Sequence, residues 1–428
     1  MSKCKHQNIC NREANYPDNC CILHTNAEKN EIDFRKAFKN HLENNGYDCA
    51  YFVIPIRIDR TFFSDNDFSE RLNFENSVFK RQLYLYHKHF KEGANFNNCV
   101  FEEYAEFIDC KFSKRTTFFN TRFKGSINFA DSEFEKHVEF ILAKFHQRVD
   151  FFNTIFRQDV DFRDANFSGE ARFLETRFNY NTKVLFKSSS FSGPTLFAGS
   201  NEEPIFKNVE LSFNDVIISP AASLSFNNAN LEKSRFSRTQ VENFTFNSVK
   251  WPYLEDRICT FDEIKNSEEK KFNNLEELYR QLKLNYESRK NYILAGEFHY
   301  GEKETQRKNP NTKIYLKTLL TIYKLFSGYG ERAKNSFFSL LVLLIIAASS
   351  YFFFGFEAIN EIKYHYSTNT LSSFGNALLF SVKSTFFVRP LGYELSTYGS
   401  EITFIIQTIF SPVLIGLFAL AIRQKLKR

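Results

Sequence analysis

At 428 residues the chain is too long for one ordinary core, so two or three domains are expected. Its 56 Lys and Arg against 50 Asp and Glu leave a formal charge of +6, too mild to argue for a nucleic-acid partner. The 53 Phe set against one Met and one Trp require a special arrangement of rings.

The first residues, Met1-Ser2-Lys3-Cys4-Lys5-His6, have no apolar stretch behind them, so a cytoplasmic N-terminal part with reduced thiols is expected. Within residues 4–24, Cys4, Cys10, Cys21 and His24 form a candidate tetrahedral zinc site. Cys21 and His24 have finger-like spacing, whereas Cys4 and Cys10 stand further apart than usual. Four protein ligands leave no open position, so the role would be structural. Cys20 and His6 are spare candidates, and the alternative is a cysteine-rich tail without metal. Residues 1–30 are therefore read as a zinc-knuckle-like segment. Residues 31–60 are read as a cap. From Glu31 to Asn44, Phe34, Phe38 and Leu42 fall at i, i+4 and i+8, which predicts an amphipathic helix, and Phe52-Val53-Ile54-Pro55-Ile56 predicts a strand.

From Phe63 to Phe178 phenylalanines recur in alternating steps of five and six, with Leu85 the single substitution. The period is thus 11. On a helix turning about 100° per residue, such steps do not keep the rings on one face, and the Asn, Asp, Thr and Val between them disfavour a long helix. A β-coil with inward Phe fits instead. Two residues before the rings stand small or β-branched residues such as Cys99, Ala105, Cys110, Thr121, Val138 and Ala165, sized to fit between them. Cys99 and Cys110 are one repeat apart and are read as packing residues. After Phe178 the spacing breaks, resumes at Phe186, Phe191 and Phe197, and breaks again at residues 200–204. Later rungs are expected at Phe206, Leu211, Phe226, Leu231, Phe236, Val241 and Phe246, with the interruptions as loops.

This pattern resembles the pentapeptide-repeat family in its Phe-rich variety, and Ala229-Asn230-Leu231 reproduces the family's Ala-Asp/Asn-Leu core. The resemblance implies a right-handed, quadrilateral β-solenoid over residues 61–250, with about 22 residues per coil. At the roughly 4.8 Å spacing of stacked strands, the strict ladder would form a rod of about 25 Å. Family members that imitate DNA are acidic along the rod, and this chain is not. The N-terminal Cys/His arrangement also looks like a knuckle found ahead of some such chains.

Residues 251–333 are read as a helical connector. Leu275, Leu278, Tyr279, Leu282, Tyr286 and Ile293 form a helical stripe. Ala295-Gly296-Glu297-Phe298-His299-Tyr300-Gly301-Glu302 resembles a connector that joins pentapeptide repeats to membrane modules in bacterial proteins. Glu297, His299, Glu302 and Glu304 make a weak candidate metal or acid–base cluster, because no second His supports it. Leu316 to Phe326 predicts a short amphipathic helix that ends at a Gly-rich break.

Residues 334–428 are read as a two-span membrane module. Ser336 to Phe356 and Ile402 to Ile422 are uncharged runs long enough for a roughly 30 Å hydrocarbon core, the second interrupted by Pro412. Pro412 is a kink or gate on one reading and a tolerated packing kink on the other. Arg332 and Lys334 before the first span, and Arg423, Lys425, Lys427 and Arg428 after the second, predict both termini on the cytoplasmic side of an inner membrane. Between the spans, Ser373 to Val388 is apolar yet too short to cross, the profile of a re-entrant helix. Span, re-entrant segment and span resemble the two-helix potassium-channel pore. The filter run is missing: only Leu391-Gly392-Tyr393 is similar to it, and Lys383 and Arg389 would repel cations.

The function expected is an ion-channel-like membrane protein, homo-oligomeric (a tetramer favoured), whose solenoid senses or transmits a signal. Ser381, Ser384, Thr385, Gln407 and Ser411, with Thr403, are the candidate pore-lining residues; Gln407 and Ser411 share a helix face at i, i+4, for which helix packing is the alternative. The alternative is a membrane-tethered scaffold whose solenoid binds a cytoplasmic protein and which does not conduct. No nucleophile–base pair or open metal site argues for an enzyme.

Overall fold

The computed structural model describes residues 3–6, 10–63, 67–358, 363–364, 370–386, 393–395 and 397–426. Two compact units emerge, Met1–Asn274 and Leu275–Arg428.

The first unit is a four-faced β-solenoid. Most of its strands are two residues long, and each pairs in parallel with the strand one coil away: Lys111–Phe112 sits between His89–Phe90 and Glu133–Phe134. Three faces stack eight strands and the fourth stacks six. The sequence dictates this geometry at two kinds of position. Inward Phe from successive coils lie face to face: the centroids of Phe90, Phe112, Phe134 and Phe156 are 4.4, 4.6 and 5.2 Å apart in turn. Corners are turned by left-handed residues, again 11 apart: Asn76, His87, Asn98, Asp109, Asn120 and Asp131, with φ between 51° and 60°. Asn and Asp accept that conformation more readily than other side chains with a Cβ. Leu142 and Glu175 adopt it without that advantage.

The small inward residues also do more than fit. Thr121, Ser132, Thr154 and Thr176 each donate a hydroxyl hydrogen to the carbonyl of a Phe 25 residues earlier, at 2.5–2.8 Å. The thiol of Cys99 does the same to Phe74 at 2.8 Å. The polar atoms of these five side chains are thereby satisfied inside the core. Cys99 and Cys110 are buried packing residues, as expected. The later rungs from Phe206 to Phe246 are all buried as well, and Phe178 stacks on Phe206 at 5.2 Å, across the expected loops.

Both ends of the coil are covered. Helix α1 (Glu31–Asn45) starts at Asn30, whose side chain accepts from the amides of Ile32 and Asp33. Phe38 meets Phe52 and Phe74 edge-on, and strand Val53–Ile54 pairs with Val78–Phe79. The buried face is Phe34, Phe38 and His41, and Leu42 is only half-buried. His41 displaces Leu42 because its ring has a partner on each side: Nε2 donates to the Asp48 carbonyl at 2.7 Å, and Nδ1 accepts from Arg12 at 3.3 Å. At the other end Trp251 packs edge-on against Phe246, and helix α2 (Phe261–Glu269) follows. The Asp262 carboxylate of α2 accepts from the amide of Phe236 at 3.0 Å, and burial raises its pKa to about 6.

The second unit is helical: α3 (Phe272–Ser288), which begins just before it, then α4 (Tyr292–Lys308), α5 (Ile314–Ser327), α6 (Ala333–Phe354), α7 (Thr370–Thr385) and α8 (Tyr398–Leu426). Leu275, Leu278, Tyr279, Leu282 and Tyr286 of the expected stripe are buried on α3, but Ile293 falls beyond the break at residues 289–291, on α4, and is exposed. Gly301 lets α4 approach α3: a Cβ there would lie 2.6 Å from the Tyr279 ring. Helices α6 and α8 are long and apolar enough to cross a membrane, and α8 runs through Pro412 without ending. A small antiparallel sheet pairs Phe356–Ala358 with Lys363–Tyr364 and with Tyr393–Leu395.

Candidate functional site

The four N-terminal ligands converge. A turn closes the Cys21-to-His24 loop, with the amides of His24 and Thr25 both donating to the Cys21 carbonyl at 3.0 Å. Cys4 arrives on a segment bridged antiparallel at Lys3 and Glu13, and its Sγ accepts from the Cys21 amide at 3.4 Å. The result is a buried quartet whose donor atoms all lie within 4.8 Å of one another. Individual edges measure 3.1 Å (Cys21 Sγ to His24 Nδ1), 3.5 Å (Cys4 Sγ to His24 Nδ1) and 3.6 Å (Cys10 Sγ to Cys21 Sγ). A tetrahedron with metal–sulfur bonds of about 2.3 Å has edges of roughly 3.8 Å, so the donors stand near the vertices of a metal site. The quartet could hold a metal ion. Cys20 is buried outside it, and the His6 ring packs 4.9 Å from that of His24.

The knuckle is fastened to the cap. The Val53 amide donates to the Leu23 carbonyl at 2.8 Å, and Lys29 Nζ donates to the carbonyls of Ile22 and Val53 at 2.8 and 2.6 Å. Burial draws the Lys29 pKa down to about 7.

The second cluster lies where α7 meets the two long helices. Gln407 of α8 donates to the Ser381 carbonyl at 2.7 Å, to Ser381 Oγ at 2.9 Å and to Thr385 Oγ1 at 2.7 Å. Its side-chain oxygen accepts from the Tyr351 hydroxyl of α6 at 3.0 Å. Ser411 donates to Thr385 at 3.4 Å, and Ser384 donates to the Phe380 carbonyl of its own helix at 2.9 Å. Thr403 meets Ser350 at 2.5 Å. Ser381, Ser384, Thr385, Gln407 and Ser411 are all buried within a single chain. Their hydrogen bonds run among α6, α7 and α8 of one chain. Gln407 and Ser411, four residues apart on α8, both bond to Thr385 of α7. Tyr351 was missed, because one Tyr inside an apolar span gives no periodic signal. Arg389, Leu391 and Gly392 of the filter-like run lie outside the described residues.

The acidic residues of α4 are held by cations. Arg332 grips Glu297 with two hydrogen bonds, at 2.6 and 2.9 Å. Glu302 faces Lys283 and Lys303, each at 3.4 Å. Glu304 accepts from Arg307 and the Tyr329 hydroxyl, both at 2.8 Å, and from Lys324 at 3.1 Å. Burial would raise the Glu304 carboxyl, but these bonds outweigh it and leave the pKa at about 2. Glu297, Glu302 and Glu304, with His299 beside Glu302 at 3.8 Å, therefore form an ion-pair clasp that ties α4 to Arg332, to Lys283 of α3 and to Lys324 of α5. Among the described residues, only the N-terminal quartet gathers metal-ligating groups. On the solenoid, the inserted loop at 199–207 walls a cleft of about 440 Å³ with Arg177 and Tyr180.

Compared with known families, residues 96–143 match the model for pentapeptide repeats, nine copies of the repeat. No curated protein and no solved structure matches the chain.

Proposed function

We propose that this chain, a pentapeptide-repeat solenoid joined to helices able to span a membrane, is a channel-like membrane protein. Several copies would assemble around one axis, each contributing a two-span hairpin with a re-entrant helix, and the solenoid would sense or transmit a signal from the cytoplasm. The observation that carries the reading is α7: 16 residues, too short to cross, packed against both long helices and fixed by Gln407. A simple anchor needs no such helix, whereas a pore built from two spans per chain does. Basic residues beside both spans support cytoplasmic termini. The N-terminal quartet would hold zinc in a structural role, since three thiolates and one imidazole in a closed tetrahedron leave no place for substrate. No reaction is assigned to the chain.

A second reading, a membrane-tethered scaffold that does not conduct, draws support from the burial of all five candidate pore residues inside one chain. Reconstitution of the full chain into liposomes, followed by monovalent cation and anion flux, separates the two. The channel reading expects flux that depends on protein and disappears when Gln407→Leu releases α7. Absence of flux from correctly inserted protein across both ion classes favours the scaffold.

A further inference from the structure

Helix α5 leaves one side uncovered. Ile314, Tyr315, Leu319, Ile322 and Leu325 are 47–79 % exposed, and at 100° per residue they fill one arc of about 140°. The opposite side is fixed: Leu320 is buried, and Lys324 reaches Glu304 of α4 at 3.1 Å. The apolar arc therefore cannot turn inward without breaking that attachment.

Two further observations say what covers it. Residues 306–327 carry Arg307, Lys308, Lys313, Lys317 and Lys324 and no acidic residue. The helix also ends at Gly328, in the left-handed conformation at φ 53°, and α6 begins within five residues, at Ala333. On α6 the apolar side chains of Phe338, Val342, Ile345 and Ile346 are likewise exposed. An apolar arc that runs on from a candidate span and is flanked by one sign of charge fits the boundary between acyl chains and anionic headgroups. We infer that α5 lies in the interface of an anionic lipid bilayer, its apolar arc among the upper acyl carbons and Lys313 and Lys317 at the phosphates, while Lys324 stays on Glu304. The inference rests on the membrane reading of α6 and α8.

The test is site-directed spin labelling of the full chain in vesicles of phosphatidylglycerol and phosphatidylcholine, and in vesicles of phosphatidylcholine alone. Labels are placed at Leu319→Cys, Lys317→Cys and Ile345→Cys; the described native cysteines are buried. Collision with oxygen reports lipid, and collision with a water-soluble nickel chelate reports solvent. The expected result is an oxygen-to-nickel ratio several-fold higher at 319 than at 317, larger in the anionic vesicles, with 345 in lipid in both. A water-exposed 319 with 345 in lipid overturns the inference and leaves the membrane reading standing. A 319 label shielded from both reagents overturns it in favour of a protein contact, such as a second copy. Equal ratios in the two vesicle types overturn the assignment to anionic headgroups. A water-exposed 345 removes the membrane reading itself.

Discussion

Each inward phenylalanine is held by the coils on either side of it. Phe140 lies 4.9 Å from Phe118 and 5.0 Å from Phe162, nearly parallel to both, and meets Phe129 and Phe151 edge-on. Phe140→Ala removes the ring from a stack that cannot close without shortening the coil, so thermal or denaturant unfolding should show a loss of about 3–5 kcal/mol. An unchanged melting profile would contradict the inward stack. At the corner two residues further on, Leu142 takes φ 59° and is half-exposed, where the corners 11 residues away on either side place Asp131 and Asn153. Leu142→Asn should raise stability by roughly 0.5–1 kcal/mol, because Asn tolerates the left-handed region better. At this scale the sequence was highly legible. A period of 11 identifies the ring positions, since only an inward row needs the same large side chain at every step. The hydroxyl ladder of Thr121, Ser132, Thr154 and Thr176 was read only by size, because a spacing shows that a residue is small and not where its proton goes.

Elements are held by a few polar residues whose partners lie far off in sequence, and legibility falls accordingly. The quartet of Cys4, Cys10, Cys21 and His24 could be named from residue type, but its separation from Cys20 and His6 needed the turn at Cys21. With Lys29 and Leu23 tying that turn to the cap, Cys21→Ser should abolish metal binding, read as about one zinc per chain in the parent by elemental analysis. It should also lower the melting temperature of the N-terminal end; retention of stoichiometric zinc in the variant would argue against this ligand set. The clasp around Glu304 carries a pH dependence of definite sign. Its folded pKa, about 2, lies below the ordinary 4.5, so its contribution is full above pH 4.5 and is lost as pH falls toward 2. The shift corresponds to something on the order of 3 kcal/mol for the helical unit. Acid titration of the parent beside Glu304→Gln should show the parent losing stability through that window and the variant largely insensitive to it. For Gln407 and Ser411 the spacing revealed a polar face but not its side, since a face that grips α7 and a face that lines a lumen have the same sequence.

At the scale of the whole molecule, a solenoid followed by helices, two of them apolar enough to cross a membrane, was legible from composition shifts and periods. The assembly was not, because contacts between copies leave no period within one chain. Two spans per chain cannot enclose a pore, so the channel account requires a ring. The most direct test is the native mass of the full-length protein extracted in mild detergent. The account predicts a tetramer, or another closed ring of at least three copies. A monomer or dimer that persists across detergents and in lipid nanodiscs would contradict it, and would leave a membrane-held solenoid that binds without conducting.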